Sequence, residues 1–294
     1  MKILIIKLGA LGDFVQATTA FKALKNHYSH DHLSLLTTEP YKEFAKKLGY
    51  FNEIIIDSRP QWYQFPQFIS LIKTIKRLNF DLVYDLQGVD RTRFYRKLLS
   101  QSIEWIGCHQ DKNHPQDSFS RQFRKYGIKH HPLLDLKFLA EDIEISSLQR
   151  PYVLMVPGAS NAHGGRKKWP ERFYAELAYI LMDKGYQPMI IGGPKESFPI
   201  LFNHVPHAIN LVGKTSFYQI IRLAMKAVFA VGNDTGPMLL AASGGCSTYT
   251  FYSQFNPFSQ GGAKGMKNFP LESQNLEDLS VDKVVAYIYK NHPL

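Results

Sequence analysis

The chain has little cysteine and no long apolar run, and both absences narrow its class. Its 294 residues include two cysteines, Cys108 and Cys246. Two thiols build neither a disulfide framework nor a thiolate zinc site, which suits a reducing compartment. No apolar run approaches the roughly 18 residues that a membrane-spanning helix needs, and the first run ends at Lys7, too early for a signal peptide. We therefore expect a cytoplasmic protein without a transmembrane segment.

Several motifs of known chemistry are also missing. There is no Asp-x-Asp pair of the kind that bridges a metal to a diphosphate, and the histidines lack zinc-site spacing. Residues 213–216, Gly-Lys-Thr-Ser, resemble the end of a P-loop, but the first glycine of that motif falls on Ala208. Asp234-Thr235-Gly236 matches the aspartic-protease tripeptide but occurs once. We expect no bound metal and no cofactor.

Composition and pattern predict an α/β protein with two domains. Hydrophobic residues make up 45% of the chain and charged residues 20%, which suffices for a packed core. The first apolar runs are continuous, as in strands covered on both faces of a parallel sheet. The pattern restarts after Arg150-Pro151. We predict two doubly wound domains at residues 1–150 and 151–280, then a final helix at 281–294.

The element boundaries follow from the apolar runs and helical periods. Predicted strands span residues 3–7, 33–37, 53–57, 81–86, 103–107, 152–156, 187–191, 208–211, 228–231 and 247–251. Predicted helices include residues 14–26, 64–78, 171–184, 216–226, 235–243 and 281–289.

Two strand–turn–helix elements mark candidate ligand sites. One carries Leu8-Gly9-Ala10-Leu11-Gly12-Asp13 and the other Gly232-Asn233-Asp234-Thr235-Gly236-Pro237. Free backbone N–H groups at such helix starts suit a phosphate or a sugar hydroxyl. Asp13 is either an N-cap or a carboxylate base at the mouth of the sheet.

Cations cluster in two places. A glycine-rich loop after residue 156 carries Arg166, Lys167 and Lys168. These three cations either bind a diphosphate or form a solvated charge run. The net charge is +10, and a local concentration begins with Arg91, Arg93 and Arg96. That stretch, which runs to Lys129, is a solvated face or a site for an anionic substrate, an anionic membrane surface or nucleic acid. No nucleic-acid-binding motif supports the last of these.

Together the motifs resemble glycosyltransferase family 9, which contains the bacterial lipopolysaccharide heptosyltransferases. The matching motifs, in order, are residues 8–13, 81–88, 157–160, 167–170, 192–194, 213–216 and 232–237. The resemblance covers residues 1 to about 265. It implies a GT-B fold, which is two Rossmann-like doubly wound domains facing an interdomain cleft. The N-terminal domain is then the acceptor side, the C-terminal domain binds the nucleotide-sugar, and the final helix packs back on the N-terminal domain. It also implies an inverting transfer, without a metal, from ADP-heptose to a lipid-linked core sugar.

The resemblance also implies roles for individual residues. Asp13 matches the proposed general base, and Lys167 matches the lysine that neutralises the donor diphosphate. The implied donor-binding set is Gly12, Ser160, Lys167, Glu196, Thr215, Asp234, Thr235 and Gly236. Leu239 departs from the family, because a histidine commonly stands there.

The resemblance implies as partners a nucleotide-sugar donor, an anionic lipid-linked saccharide acceptor and the inner-leaflet membrane surface, with no nucleic acid. Arg91, Arg93 and Arg96 are the predicted acceptor and membrane residues, and the predicted location is cytoplasmic, peripheral on the inner membrane. Two alternatives stay open. One is a GT-B transferase with another nucleotide-sugar and acceptor. The other is a catalytically silent nucleotide-sugar-binding protein, which Leu239 favours.

Overall fold

The computed structural model describes residues 1–59, 64–99, 103–107, 115–145, 150–160, 165–263 and 267–292. Cys108 lies outside this set. The chain divides into two compact units, Met1–Pro132 and Leu133–Leu294. Within the described part, no helix combines the length and the apolar character needed to cross a bilayer.

The first unit is built on a five-stranded parallel sheet in the order β3-β2-β1-β4-β5. The strands are β1 (Lys2–Ile6), β2 (His32–Thr37), β3 (Glu53–Ile56), β4 (Leu82–Asp85) and β5 (Glu104–Gly107). The helices are α1 (Leu11–His27), α2 (Lys42–Leu48), α3 (Phe65–Leu78), α4 (Asp90–Leu98) and α5 (Pro115–Lys125). The core includes Leu4, Ile6 and Val83, all fully buried, as expected for central strands covered on both faces.

The second unit has a six-stranded parallel sheet in the order β11-β10-β9-β6-β7-β8. The strands are β6 (Tyr152–Val156), β7 (Gln187–Ile190), β8 (Ile209–Asn210), β9 (Ala230–Asn233), β10 (Thr248–Tyr252) and β11 (Asn268–Glu272). The helices are α6 (Glu171–Asp183), α7 (Pro199–His204), α8 (Phe217–Lys226), α9 (Gly236–Ser243) and α10 (Val281–Asn291). Both sheets therefore match the predicted doubly wound type.

Each sheet has one point where the strand order reverses. In the first unit β1 pairs with both β2 and β4, and in the second β6 pairs with both β7 and β9. In open α/β sheets, ligands bind beyond the carboxyl ends of the strands at this point. The loops after β1 and β4, and those after β6 and β9, are therefore the places to look for a site.

The structure differs from the prediction in one domain boundary and in the packing of the final helix. Unit two begins at Leu133, before residue 150, because α8 and α9 hold the preceding segment: the Leu136 amide donates to the Ser243 carbonyl at 3.1 Å. The final helix was expected on the first domain. The structure instead packs α10 into the core of the second unit, where Val284 and Ile288 are buried.

Candidate functional site

The turn after β1 presents Asp13 at the start of α1. This helix begins at Leu11, and its N-cap is Ala10, which makes no side-chain cap bond. Asp13 lies in the first turn and is partly exposed, so it is not the N-cap. A carboxylate there is favoured by the positive end of the helix dipole. The other interpretation of the sequence, a base at the carboxyl edge of the sheet, stays a prediction.

Gly9 allows this turn to lie against Tyr41. Its φ of +113° is a conformation that side-chain-bearing residues rarely adopt, and a Cβ there would lie 2.6 Å from Cε2 of Tyr41. The Tyr41 ring stacks on Phe14 of α1, with centroids 4.7 Å apart. Burial raises the pKa of Tyr41, the Arg59 guanidinium opposes this, and the Asp13 carboxylate adds to it. Arg59 and Asp13 thus both lie near the Tyr41 hydroxyl.

The carboxyl ends of the neighbouring strands are tied to the same turn. Lys7 is 1% exposed, and its Nζ donates to the Leu86 carbonyl after β4 at 3.1 Å. The Leu8 amide donates to Oε1 of Gln87 at 2.9 Å. A cavity of about 370 Å³ opens beside the turn, lined in part by Leu8, Ala10 and Tyr41. The first unit therefore has a pocket beside this turn, at the carboxyl ends of β1, β2 and β3.

The three predicted acceptor and membrane arginines have different environments. Arg91 is directed inward and forms an ion pair with Asp57, which is fully buried. Arg93 is exposed and pairs with Asp90 at 2.7 Å on the same helix. Arg96 is also exposed. Only Arg93 and Arg96 are therefore placed as residues of a solvated cationic face.

In the second unit, Asn233 joins the loops that follow β6 and β9. It is fully buried at the end of β9. Its Nδ2 donates to the Pro157 carbonyl at 2.7 Å, and its Oδ1 accepts from the Trp169 amide at 2.9 Å. The indole Nε1 of Trp169 donates to the Leu279 carbonyl at 2.7 Å. One carboxamide thus fixes both loops at the switch point.

Glu196 closes over the loop that follows β6. Its Oε2 accepts from the Gly193 amide at 2.6 Å. A Cβ at Gly158 would collide with this carboxylate, so the close approach requires glycine. A cavity of about 530 Å³ lies here, and its lining includes Ser160, Lys168 and Glu196. The structure therefore brings two of the predicted donor-binding residues, Ser160 and Glu196, to one pocket.

The turn after β9 holds Asp234, Thr235 and Gly236 together. Asp234 Oδ2 accepts from Nδ2 of Asn256 at 3.2 Å. Thr235 is the N-cap of α9, yet its hydroxyl donates back to the Asn233 carbonyl at 3.2 Å and makes no cap bond. The first turn of α9 is therefore left without a side-chain cap, which suits an anion or a hydroxyl.

Other predicted donor residues lie outside the lining of the 530 Å³ cavity. Lys167 is half-buried, and its neighbour Lys168 lines the cavity instead. Thr215 is half-buried beside Ser216, which is the N-cap of α8 and accepts from the Gln219 amide at 3.2 Å. The segment at residues 213–216 is thus a turn that leads into a helix cap.

The structure also bears on Leu239 and on the expected absence of a metal. Leu239 is 5% exposed on α9, so its side chain packs as a core residue. Among the residues that the structure describes, no group of three or more His, Cys, Asp or Glu side chains could hold a metal ion.

Three residues of these sites were not assigned from the sequence. Asn233 belongs to the motif at residues 232–237. Its position just after an apolar run was the signal that could have identified it as a site residue. Asp57 had the same signal, because it follows the apolar residues of β3. Asn256 had none, since it approaches Asp234 through a loop whose path no local pattern predicts.

Comparison with known proteins agrees with this architecture. The model of glycosyltransferase family 9 (heptosyltransferase) matches residues 91–271. Lipooligosaccharide heptosyltransferase 2 of Campylobacter jejuni is 25% identical over 99% of each chain. The E. coli ADP-heptose lipopolysaccharide heptosyltransferase II structure has a TM-score of 0.76 at 20% identity, covering 99% of this chain and 98% of that one. E. coli heptosyltransferase WaaC, solved with ADP, has a TM-score of 0.77 at 16% identity, covering 99% and 100%. The predicted GT-B fold is confirmed.

Proposed function

This chain belongs to glycosyltransferase family 9, and on that premise we propose that it transfers heptose from ADP-heptose to a lipid-linked sugar of a lipopolysaccharide core. The observation that carries the proposal is the placement of Asp13. Asp13 lies in the first turn of α1, it is not the N-cap, and the turn just before it lines a pocket through Leu8 and Ala10. ADP-heptose is chosen because one similar structure is that of an ADP-heptose heptosyltransferase and another was solved with ADP.

The proposed reaction is a single inverting displacement. Asp13 accepts the proton of the acceptor hydroxyl while that oxygen bonds to the anomeric carbon of the sugar. The bond from this carbon to the donor phosphate breaks on the opposite face, and ADP leaves with the electron pair. General-base assistance of this kind typically contributes 10²–10⁴-fold.

The proposed donor site lies in the second unit. Ser160 and Glu196 line the 530 Å³ cavity, while Asp234, Thr235 and Gly236 offer a carboxylate and an uncapped helix start. Lys167, or its neighbour Lys168, neutralises the leaving diphosphate, because preorganised cations stabilise charge that develops in the transition state. We propose that these groups act without a metal.

The proposed acceptor side is the surface of α3 and α4. Lys73, Lys76 and Arg77 of α3 are exposed, as are Arg93 and Arg96 of α4. Two apolar side chains, Ile69 and Phe94, are 44% and 49% exposed beside them. Cations beside exposed apolar groups suit an anionic membrane surface. We place the enzyme in the cytoplasm, peripheral on the inner membrane.

The test compares Asp13→Asn with the parent in donor binding and turnover. We expect ADP binding by calorimetry to be unchanged, and ADP release in the presence of core-truncated lipopolysaccharide to fall at least 100-fold, because an amide cannot accept the proton. Both proteins are also assayed in EDTA, where the parent should stay active. Near-parental turnover by Asp13→Asn would remove Asp13 as the base, and a loss in EDTA that magnesium or manganese restores would contradict the metal-free proposal.

A catalytically silent binding protein is the second candidate, favoured by the apolar Leu239 in place of a histidine. It predicts that the parent binds ADP-heptose but releases no ADP with any acceptor. The same assays therefore separate the two candidates.

A further inference from the structure

Asp57 is a buried carboxylate whose partners reach across the first unit. It follows β3 and is fully buried. Arg91 donates to it twice, from Nε and from Nη2, each at 2.7 Å, and the Tyr95 hydroxyl donates at 2.6 Å. The carboxylate therefore has a bidentate guanidinium partner, the geometry with the strongest charge-assisted hydrogen bonds. These hydrogen bonds from α4 thus fix the position of the Asp57 side chain at the end of β3.

The same carboxylate stabilises the backbone conformation of Arg59. The Arg59 amide donates to Oδ1 of Asp57 at 2.8 Å, and Arg59 has a φ of +51°. A left-handed conformation is unfavourable for a residue with a side chain, unless a local hydrogen bond of this kind supports it. Asp57 therefore holds Arg59 in a conformation that the free chain would rarely adopt.

Arg59 in turn holds the turn that carries Asp13. Its Nη2 donates to the Leu8 carbonyl at 2.8 Å, and the Thr38 hydroxyl donates to the same oxygen at 3.1 Å. Leu8 directly precedes Gly9, where the chain turns into α1. The hydrogen bonds run from α4 through Asp57 and Arg59 to the carbonyl that begins the turn.

We propose that Asp57 and Arg59 are positioning residues, which hold the Leu8 carbonyl so that the following turn presents the Asp13 carboxylate to the acceptor hydroxyl. The inference rests on the proposed function, since it assumes that Asp13 is the base. It assigns Arg91 to this network and removes it from the cationic face. The electrostatics agree with that assignment: burial lowers the pKa of Arg91, but its bonds to Asp57 outweigh this and raise the pKa above its usual value.

The test uses Arg59→Ala, with Lys46→Ala as the matched control. Lys46 is an exposed cation of the same unit and pairs with the exposed Glu43. Because a displacement of about 1 Å at a reacting group can cost 10²-fold, we expect kcat to fall 10- to 100-fold in Arg59→Ala. ADP affinity should be unchanged, and Lys46→Ala should match the parent. Millimolar guanidinium, below denaturing concentration, should restore part of the lost kcat.

A double variant distinguishes positioning from a general loss of structure. If Arg59 acts only through Asp13, Arg59→Ala should cost little in an Asp13→Asn background, because residues that act as a unit are non-additive. Tyr95→Phe removes one donor to Asp57 and should lower kcat by a smaller factor without changing ADP affinity. It probes the Asp57 end of the network without breaking the ion pair between Asp57 and Arg91.

The outcomes separate this inference from the proposed function. An inactive Asp13→Asn beside an Arg59→Ala with parental kcat would overturn the positioning role and leave the base intact. A full multiplicative loss in the double variant, with no response to guanidinium, would also overturn it. An active Asp13→Asn would remove the base and this inference together.

Discussion

The bridge made by Asn233 gives a prediction that can be worked from the structure. Asn233→Ala deletes an acceptor for the Trp169 amide and a donor to the Pro157 carbonyl, both in buried hydrogen bonds. A buried polar group left without a partner costs about 1–3 kcal/mol. Two such groups give a loss of about 2–6 kcal/mol in the free energy of unfolding of the second unit.

The assay is urea unfolding followed by the fluorescence of Trp169. The chain has three tryptophans, so a background with Trp62→Phe and Trp105→Phe reports the second unit alone. The control is Asn210→Ala, because Asn210 is exposed and its side-chain Oδ1 accepts from the Val212 amide at 3.0 Å. We expect this control to lose under about 1 kcal/mol.

Asn233→Asp sharpens the same test. A carboxylate can still accept from the Trp169 amide, but it faces the Pro157 carbonyl without a proton to donate. Burial and this repulsion raise the folded-state pKa of the new carboxyl above its unfolded value near 3.9. The stability of the variant should therefore be greatest at low pH and fall as the pH rises. ADP affinity should fall in both Asn233 variants, because the loops beside the cavity are no longer joined. Losses equal to those of Asn210→Ala, with parental ADP affinity, would refute the reasoning.

Three further predictions concern the cations and one histidine. Lys167→Ala and Lys168→Ala should be compared by calorimetry with ADP and adenosine. The lysine that contacts the diphosphate should lose about 1.5–3 kcal/mol for ADP alone, and equal losses for both ligands would make it a surface charge. Burial lowers the pKa of His130 to about 4, so the stability it contributes is complete above about pH 6.5 and is lost as the pH falls toward 4. His130→Gln should flatten that part of the stability curve, and an unchanged slope would contradict the assignment. Arg93→Glu with Arg96→Glu should weaken binding to anionic vesicles by roughly 1 kcal/mol per lost cation or more, in a salt-dependent way, and unchanged binding would refute the membrane face.

The histidine prediction and the vesicle prediction each have a matched control in the chain. His204 is an exposed histidine of α7, and His204→Gln should leave the acid slope unchanged. Lys46→Glu with Lys47→Glu reverses two exposed cations of α2 and should leave vesicle binding nearly unchanged, and neutral vesicles should bind neither protein. Arg91 stays intact throughout, because its reversal would break the buried pair with Asp57.

Most of the strands could be predicted because burial on both faces leaves a continuous apolar run. Tyr152–Val156 has the predicted bounds, and the other nine predicted strands differ by one or two residues at one or both ends. The strand Asn268–Glu272 was missed. It lies at the edge of its sheet, carries Pro270 and is mostly half-buried, so it lacks the apolar run that marks a central strand.

The candidate site was predictable in part for a similar reason. The turns that carry Asp13 and Asp234 each follow an apolar strand and precede a helix. That order is visible in consecutive residues of the sequence. The role of Arg91 was not predictable, because in the sequence it stands among cations on a polar helix. Its partner lies 34 residues away.

The sequence by itself determined the two doubly wound sheets, the order of their strand–turn–helix units and the family to which the chain belongs. These depend on periodicity and on short motifs, which are properties of neighbouring residues. The tertiary structure decided which side chains meet. Asn233 reaches Pro157 across 76 residues and Trp169 across 64, and Tyr95 reaches Asp57 across 38. It also decided that Arg91 is directed inward and that the final helix packs on the second unit. Such pairings arise only when parallel strands bring their carboxyl ends to one edge of a sheet, since no local pattern encodes the partner of a buried polar group.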